Sequence, residues 1–564
     1  MTAIEINPGL LMIVAGLIAA CLPLRARQAL ALGAPVAGIA LLLATPIGAH
    51  SVVTIAGLPL TILRLDALAY PFALIFLIAS FVAAVYALHQ DDRLQDASAM
   101  VYAGAAIAAT LAGDLVTLLI YWELTTLSSV FLILAAGTSR AYRASVRYLV
   151  WQIGSGVLLL AGIVAHYRAT GSLAFDHMQL GSTGTWLIFI AFGVKCAFPL
   201  LHNWLQDAYP EATVTGTVVL SAFTTKLAVY TFARGFAGEP LLVPIGAVMT
   251  CFPVFFAVIE NDLRRVLSFS LNNQLGFMLV GVGIGSELAI NGAVSHAFAH
   301  IIYKALLFMS MGAVLYRVGT VKASELGGLY RSMPWTTVCC IIGALSIAGF
   351  PLTSGFVTKN LTLDAAGNAG YLWIWLMLIF ASAGVMEHSG IKIPFFAFFS
   401  HDRGHRVKEA PVNMLVAMGL CAAACIFIGV FPQTLYSIMP YPVAKDPYTA
   451  QSVITKTQLL VFAVLAFAVL IRSGLYPKEI PSTNLNTDWF LRRPGWALLQ
   501  WTATHAAKLN DGVARFSIAA VRVTTDLMQA INANAHFGKA WPTGRMAFWT
   551  TVMLGAYLFL WYLV

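Results

Sequence analysis

The feature that most constrains this chain is a succession of long apolar stretches separated by short polar connections, running almost without pause from residue 8 to residue 473. About 20 consecutive apolar residues cross the hydrocarbon core of a bilayer as a helix. Setting the apolar runs against their breakers predicts about sixteen such helices. The first eight lie at 8–24, 28–48, 66–88, 97–112, 114–136, 147–167, 184–204 and 213–235. The rest lie at 241–260, 265–285, 290–316, 335–357, 371–398, 411–432, 455–473 and 546–564. Charged residues fill 10% of the 564 positions and apolar ones 59%, whereas a soluble chain carries about a quarter charged residues. The expected fold class is an all-α polytopic membrane protein.

The net charge of +9 does not point to nucleic acid, because the basic residues sit between hydrophobic segments rather than on one continuous face. Their distribution follows the positive-inside rule. Connections after odd-numbered spans carry Arg25, Arg27, Arg93, Arg140, Arg143, Arg147, Arg264, Arg265, Arg317, Lys322, Arg331, Arg403, Arg406 and Lys408. Those after even-numbered spans carry only Arg64, Arg168, Arg234, Lys445 and Lys456. In the inner membrane of a bacterium, this bias predicts a multi-pass protein with both termini in the periplasm. The opening MTAIEINPGLL lacks a basic n-region, so the first apolar stretch is expected to stay as a helix. The seven cysteines form no CxxC pair; free buried thiols are expected, with neither a disulfide framework nor a metal site.

Residues 474–545 are more polar. Lys508, Asp511, Arg515, Arg522, Asp526 and Gln529 recur at spacings of three, four or seven, which places them on one stripe of a long helix. Such a helix is expected to lie along the membrane surface before the final span; an ordinary cytoplasmic tail is the plainer reading.

Within the spans stand residues that a membrane disfavours. A charge at mid-helix costs about 2.5–3.5 kcal/mol on insertion scales, so such groups face the bundle interior and mark ion paths. Glu123 lies in LLIYWELTTLSSVF, Lys195 in IAFGVKCAFPLLHNW and Lys226 in LSAFTTKLAVYTF. His296, His300 and Lys304 follow in VSHAFAHIIYKALLF, and Lys359 in FPLTSGFVTKNLTL. The 296, 300, 304 spacing puts two imidazoles and an ammonium on one helix face. Imidazole donates at one nitrogen and accepts at the other, as a proton relay requires. A pair of interhelical hydrogen bonds is the structural alternative; a metal site would need further ligands.

Lys195 and Lys359 each neighbour a proline break with a shared tripeptide, Phe198-Pro199-Leu200 and Phe350-Pro351-Leu352. Proline in a spanning helix removes a backbone hydrogen bond, and interrupted helices in corresponding halves point to an ion site. A lysine that exchanges protons near neutral pH needs its charged form disfavoured by about 4 kcal/mol relative to water, which burial can supply. A carboxylate at about 4 Å opposes this by about 4 kcal/mol at an effective dielectric of about 20. Motion of Glu123 relative to Lys195 is therefore expected to switch the lysine between holding and releasing a proton; a static buried ion pair is the alternative.

With these residues in place, the chain resembles the antiporter-like subunits of respiratory complex I, membrane-bound hydrogenases and Mrp-type multisubunit Na+/H+ antiporters, and above all the D-type subunit of the last. The likeness is carried by YWELTTLSS, KCAFPLLHNWLQDAYPEA, ENDLRRVLSFSLNNQLGFM, HAFAHIIYKALLFMSMGAV, GGLYRSMP and LSIAGFPLTSGFVTK. It implies about fourteen core helices with two inverted five-helix repeats and broken helices, plus a C-terminal lateral amphipathic helix and a last span. The expected segments are helices 1–3 over 1–96, repeats over 97–240 and 241–400, helices 14–15 over 401–482, and the lateral helix with the final span over 483–564. By the same resemblance Glu123, Lys195, Lys226, His296, His300, Lys304 and Lys359 form the proton path, with Lys359 at the exit. Partners are expected to be other membrane subunits, with protons and Na+ as cargo, no nucleic acid and no cofactor. A proton-pumping subunit of a redox-driven complex is the alternative, and a non-transporting scaffold the second. Departures from the family pattern are Gln206, Asn273 and Asn360, and extra ionisable residues stand at Glu387, His388 and Lys392.

Overall fold

The computed structural model describes residues 6–55, 57–481, 484, 486, 489, 491–533 and 541–563. The chain forms two compact units, Met1–Asn484 and Leu485–Val564. In the first, α1 (Pro8–Ala19) and α2 (Leu24–Ala44) lead to an antiparallel hairpin of β1 (Gly48–Ile55) and β2 (Leu58–Leu65), in which Ile55 pairs with Leu58 and Gly48 with Leu65. Then follow α3 (Ala69–Ala87), α4 (Arg93–Thr110), α5 (Leu115–Leu134) and α6 (Ser139–Thr170). The all-α class holds; the one addition among the described residues is this hairpin, whose β-branched run SVVTI and alternating LPLTILRL fall in the connection expected between the second and third spans. The alternation of apolar and polar residues in that segment is the signal for strands.

Helix starts are set by side-chain caps that satisfy otherwise orphaned N–H groups. Asn7 caps α1, Asp92 caps α4, Asp114 caps α5 and Thr138 caps α6. The α6 helix ends at Gly171, which takes the left-handed conformation (φ 70°) that closes helices at low cost for glycine.

The first break follows α7 (Thr183–Lys195): the backbone leaves the helix at Cys196, passes Ala197 and Leu200 at positive φ, and restarts as α8 (Asn203–Ala208). The next span is also interrupted, as α9 (Val214–Ala222) and α10 (Thr224–Gly235) meet at Phe223. Then come α11 (Leu242–Ile259), α12 (Leu263–Ile284) and α13 (Glu287–Val318). In lipid, helices associate by close packing rather than by hydrophobic burial. Gly246 and Gly276 let α11 and α12 touch backbone to backbone, since a Cβ on Gly276 would lie 2.5 Å from the Gly246 carbonyl oxygen.

The second break separates α14 (Pro334–Ala348) from α15 (Ser354–Asn368), with Leu352 at φ 67°. Beyond α16 (Leu372–Val385) the helix widens into π-turns at Met386–Ile391 and Phe395–Phe399, joined by α17 (Lys392–Pro394). The unit ends with α18 (Val412–Val430), α19 (Pro432–Tyr436) and α20 (Ala450–Arg472).

Twelve of the described helices are long and apolar enough to cross a bilayer. The four remaining expected spans are also present as helices. Pro8–Ala19, Thr183–Lys195 and Pro334–Ala348 are apolar but short, the latter two because the backbone breaks, and Arg93–Thr110 carries Arg93 and Asp96 in its first turn. Most of the basic residues assigned to connections fall within helices, among them Arg27, Arg264 and Lys456, which are buried. Arg27 is buried in the first turn of α2, ion-paired with Asp91 (2.5 Å) and Asp96 (2.6 Å), and Lys456 is buried on α20. All seven cysteines are free, but Cys21 is exposed and Cys251 only partly buried, against the expectation of buried thiols.

The second unit contains a 38-residue helix, Trp496–Ala533, and the apolar helix Thr543–Leu563. Lys508, Asp511, Arg515, Arg522, Asp526 and Gln529 all fall within the longer one, and all are exposed.

Candidate functional site

All seven singled-out residues lie in the first unit, and six of them are fully buried. Glu123, on α5, is partly buried, and its Oε1 has no hydrogen-bond partner among the described residues. Lys195 is the last residue of α7, at the lip of the first break. Its ammonium donates to the Trp122 carbonyl (2.6 Å) and to Thr125 Oγ1 (2.8 Å), and it lies 4.4 Å from the centre of the Trp122 ring. Trp122 is itself pinned: its Nε1 donates to Ser155 Oγ, which donates to the Ala191 carbonyl. That chain fixes α5, α6 and α7 around the lysine. Glu123 and Lys195 act on each other electrostatically without closing a direct ion pair.

Lys226 exploits the interruption at Phe223. Its ammonium donates to the Ser221 carbonyl (2.6 Å), a group the interruption leaves without its helical partner, and to Thr225 Oγ1 (3.3 Å). The charges of Lys226 and Lys304 both act on His300, so α10 and α13 bring these groups together. Both ring nitrogens of His300 and the Lys304 ammonium are buried without a hydrogen-bond partner among the described residues.

His296 is held on both sides. Its Nε2 faces Gln274 Oε1 (3.1 Å), and its Nδ1 faces Thr358 Oγ1 (3.1 Å). Gln274 is oriented by donating its own Nε2 to Asn273 Oδ1, and Asn273 Nδ2 donates to the Thr250 carbonyl on α11. An acceptor-only oxygen at Nε2 places a proton there. The Thr358 hydroxyl can donate to Nδ1 or to the Ser354 carbonyl (3.1 Å); in the second orientation Nδ1 is free to take a second proton. Rotation of one hydroxyl thus opens or closes Nδ1 to a second proton. The rings of His296 and His300 are 6.2 Å apart, and Tyr303 stands 5.2 Å from His300.

Lys359 follows the second break and donates to the Ile347 carbonyl at the end of α14 (2.6 Å). A Cβ on Gly349 would meet both Lys359 Cδ (3.6 Å) and Lys456 Cε (3.3 Å), so the two lysines share this turn. Lys456 was missed as an interior residue because it stands at the polar start of its helix, in AQSVITKTQ. Gln274, Asn273 and Thr358 were also missed as members of the site; uncharged polar residues inside apolar runs are a weaker signal than charges. Gln206 is buried with its amide unpartnered among the described residues, and Asn360 is buried beside the site. Glu387, His388 and Lys392 lie outside the row's own hydrogen bonds: Lys392 reaches the end of α11, Glu387 meets Tyr476, and His388 meets Ser389, which bonds Ser270 on α12.

A helical bundle with two broken helices and interior lysines and histidines is the arrangement that the resemblance to antiporter-like subunits implies. Residues 112–386 match the family described as NADH:quinone oxidoreductase/Mrp antiporter, TM. Among curated proteins the chain is 25% identical over 477 residues to hydrogenase-4 component B of Escherichia coli (strain K12), covering 73% of this chain and 70% of that protein. It is 30% identical over 324 residues to the D component of the Na(+)/H(+) antiporter of Alkalihalophilus pseudofirmus, covering 54% of this chain and 65% of that one. In fold it matches a chain of the Mrp complex from Dietzia sp. DQ12-45-1b (TM-score 0.78, 22% identity, 94% of this chain and 63% of that one). It also matches a chain of the membrane-bound sulfane sulfur reductase, an archaeal respiratory membrane complex (TM-score 0.68, 23% identity, 98% and 99%).

Proposed function

We propose that this chain is the proton-translocating subunit of a multisubunit cation/proton (Na+/H+) antiporter. The observation that carries the reading is the interior set itself: the half-buried Glu123 with the fully buried Lys195, Lys226, His300, Lys304, His296 and Lys359, on α5, α7, α10, α13 and α15. A membrane protein retains so many costly groups where they act. Withdrawal of Glu123 from Lys195 favours release of the lysine proton, which passes by way of Lys226 to the histidines. Imidazole groups about 6 Å apart need one bridging water between them, a geometry that water-mediated hydrogen bonds commonly fill. His296 then delivers the proton to Lys359, with Lys456 beyond it.

In this reading the segments 97–240 and 241–400 are inverted repeats, each supplying one broken helix and one half of the path. The end bearing Arg264, Arg265, Arg317 and Lys322 faces the cytoplasm, both termini face the periplasm, and the Trp496–Ala533 helix lies along the membrane surface. Other membrane subunits complete the assembly, as in the multisubunit complexes whose chains share this fold. The likeness to hydrogenase-4 component B across 73% of the chain favours a second reading, a proton pump driven by a redox partner.

Everted vesicles containing the whole complex separate the two. With a pH gradient imposed and no electron donor, collapse of the gradient on adding Na+ supports the antiporter. A gradient that responds only when an electron donor is supplied overturns it in favour of the redox pump.

A further inference from the structure

The π-turns after α16 gather ionisable groups that the central row does not use. In an α-helix residues five apart lie on different faces, whereas a π-turn brings them toward the same one, and such turns cluster at functional sites. Here the turn Met386–Ile391 presents Glu387, His388 and, at its end, Lys392 to the interior. The Lys392 ammonium is fully buried at the C-terminus of α11, where it donates to the carbonyls of Val258 (2.5 Å) and Glu260 (2.7 Å) and pairs with Glu479 Oε1 (2.8 Å). Glu479 stands at the edge of the cluster: its side chain is 6% exposed and both carboxylate oxygens are buried, while its neighbours Lys478 and Ile480 are exposed. Glu387 accepts from the Tyr476 hydroxyl (2.6 Å) on the same connection, and its other oxygen is buried without a partner among the described residues.

His388 joins this cluster to the row. It is fully buried, its Nδ1 lies 2.8 Å from Ser389 Oγ, and that hydroxyl donates to Ser270 Oγ on α12 (2.9 Å), one turn from Gln274. Its Nε2 has no partner among the described residues, and Lys304 and Lys392 lie close enough for their charges to act on the ring. Lys359 acts on it from farther along the row.

We propose that Glu479, Lys392 and His388 form a second proton entrance, leading from the basic end of the bundle into the central row at Lys304. A proton bound by Glu479 passes to the Lys392 amine, then to one nitrogen of His388 while the other releases its proton toward Lys304. The inference rests on the proton-translocating reading above, and adds an access route to it.

The test uses the whole complex in everted vesicles, with proton movement followed by a pH-sensitive dye and assembly checked on native gels. Lys392→Met with Glu479→Gln removes both charges together, so no unpaired buried charge is left to unfold the site. His388→Gln keeps a hydrogen bond to Ser389 but takes up no proton. The expected result is a tenfold or greater loss of proton transport in both variants, with assembly intact. In His388→Gln the residual rate no longer responds to pH in the compartment facing Glu479, while the response to the opposite compartment persists. A merely structural ion pair predicts that the neutral double variant transports at the wild-type rate, and that result overturns the proposal. Should the double variant not assemble, wild-type transport by His388→Gln overturns it equally. Glu123→Gln run in parallel separates the two levels: its loss of transport beside an active His388→Gln sinks the entrance alone, and its retention of transport sinks the underlying reading.

Discussion

Gly156 on α6 offers a way to move one atom group of the site without touching its chemistry. A Cβ at this position would lie 1.3 Å from Glu123 Oε1 and 2.4 Å from its carboxyl carbon, whereas one at the nearby Gly154 meets nothing within 4 Å. Ordinary contact begins at about 3.4 Å, so Gly156→Ala obliges the carboxylate to shift by about 2 Å. The obstructing atoms are the far end of a flexible side chain, so the helices need not separate, and alanine is intrinsically better than glycine in a helix by about 1 kcal/mol. The electrostatic effect is larger in its consequence for transport. At an effective dielectric of about 20, a unit pair contributes about 4 kcal/mol at about 4 Å and about 3 kcal/mol at about 6 Å. A shift of about 2 Å along the Glu123–Lys195 direction therefore changes the lysine's proton affinity by about 1 kcal/mol, roughly five- to tenfold in the equilibrium. The expected outcome is a complex that assembles normally and transports protons several-fold more slowly, measured as dye quenching in everted vesicles, beside a Gly154→Ala control at the wild-type rate. Wild-type transport by Gly156→Ala would show that the position of the Glu123 carboxylate does not govern Lys195.

Glu123→Ala is expected to abolish transport while the complex still assembles, since one interior carboxylate is lost from a large bundle; surviving activity in the vesicle assay shows the glutamate to be misassigned. Lys359→Ala is expected to block transport, and Lys359→Arg to leave it blocked because a guanidinium does not release its proton at accessible pH; an active Arg variant shows that the site needs only a positive charge. In the exposed loop after Phe399, the Arg406 guanidinium and the Gly404 amide hold the Asp402 carboxyl below its usual range. Its stabilising effect is therefore complete above about pH 4 and is lost as pH falls through the depressed value. Hydrogen exchange at the Gly404 amide is expected to stay slow to below about pH 4 and to be fast at neutral pH in Asp402→Asn; equal protection in the variant refutes the assignment.

The spans were legible because their signal is long and redundant: a helix that must bury about 20 residues in lipid announces itself by length alone. Charges within those spans were legible for the complementary reason, that each is costly there. What escaped is local. The break at Phe223 contains no proline or glycine, and its FTTK sequence looks like continuous helix, yet it frees the Ser221 carbonyl that Lys226 takes. The π-turns escaped because MEHSGIKIPFFAFF shows only Gly390 and Pro394 as irregular residues, and neither fixes how far the helix widens. Lys456 escaped because a lysine in the first turns of a span reads as an interfacial anchor; only the fold reveals that Gly349 passes beside it.

The way the cations are held separates anchors from carriers. Two guanidiniums take carboxylates, Arg27 holding Asp91 and Asp96 and Arg234 holding both oxygens of Asp66 at 2.7 Å, whereas the buried Arg264 takes the carbonyls of Tyr209, Ala212 and Thr213. Since arginine keeps its charge, such pairs are permanent ties between elements. Three of the row's four lysines, Lys195, Lys226 and Lys359, take backbone carbonyls instead, at Trp122, Ser221 and Ile347. An ammonium and a neutral amine both donate to a carbonyl, so the hydrogen bond survives loss of the proton. A buried carboxylate partner favours the charged state by several kilocalories per mole unless that partner itself takes up the proton, as Glu479 does for Lys392 in the proposed entrance. The helix breaks supply two of these carbonyls, because a helix end leaves its last carbonyls without backbone partners. Interrupting a span thus does two things at once: it creates an acceptor for the lysine, and it leaves the lysine free to change charge.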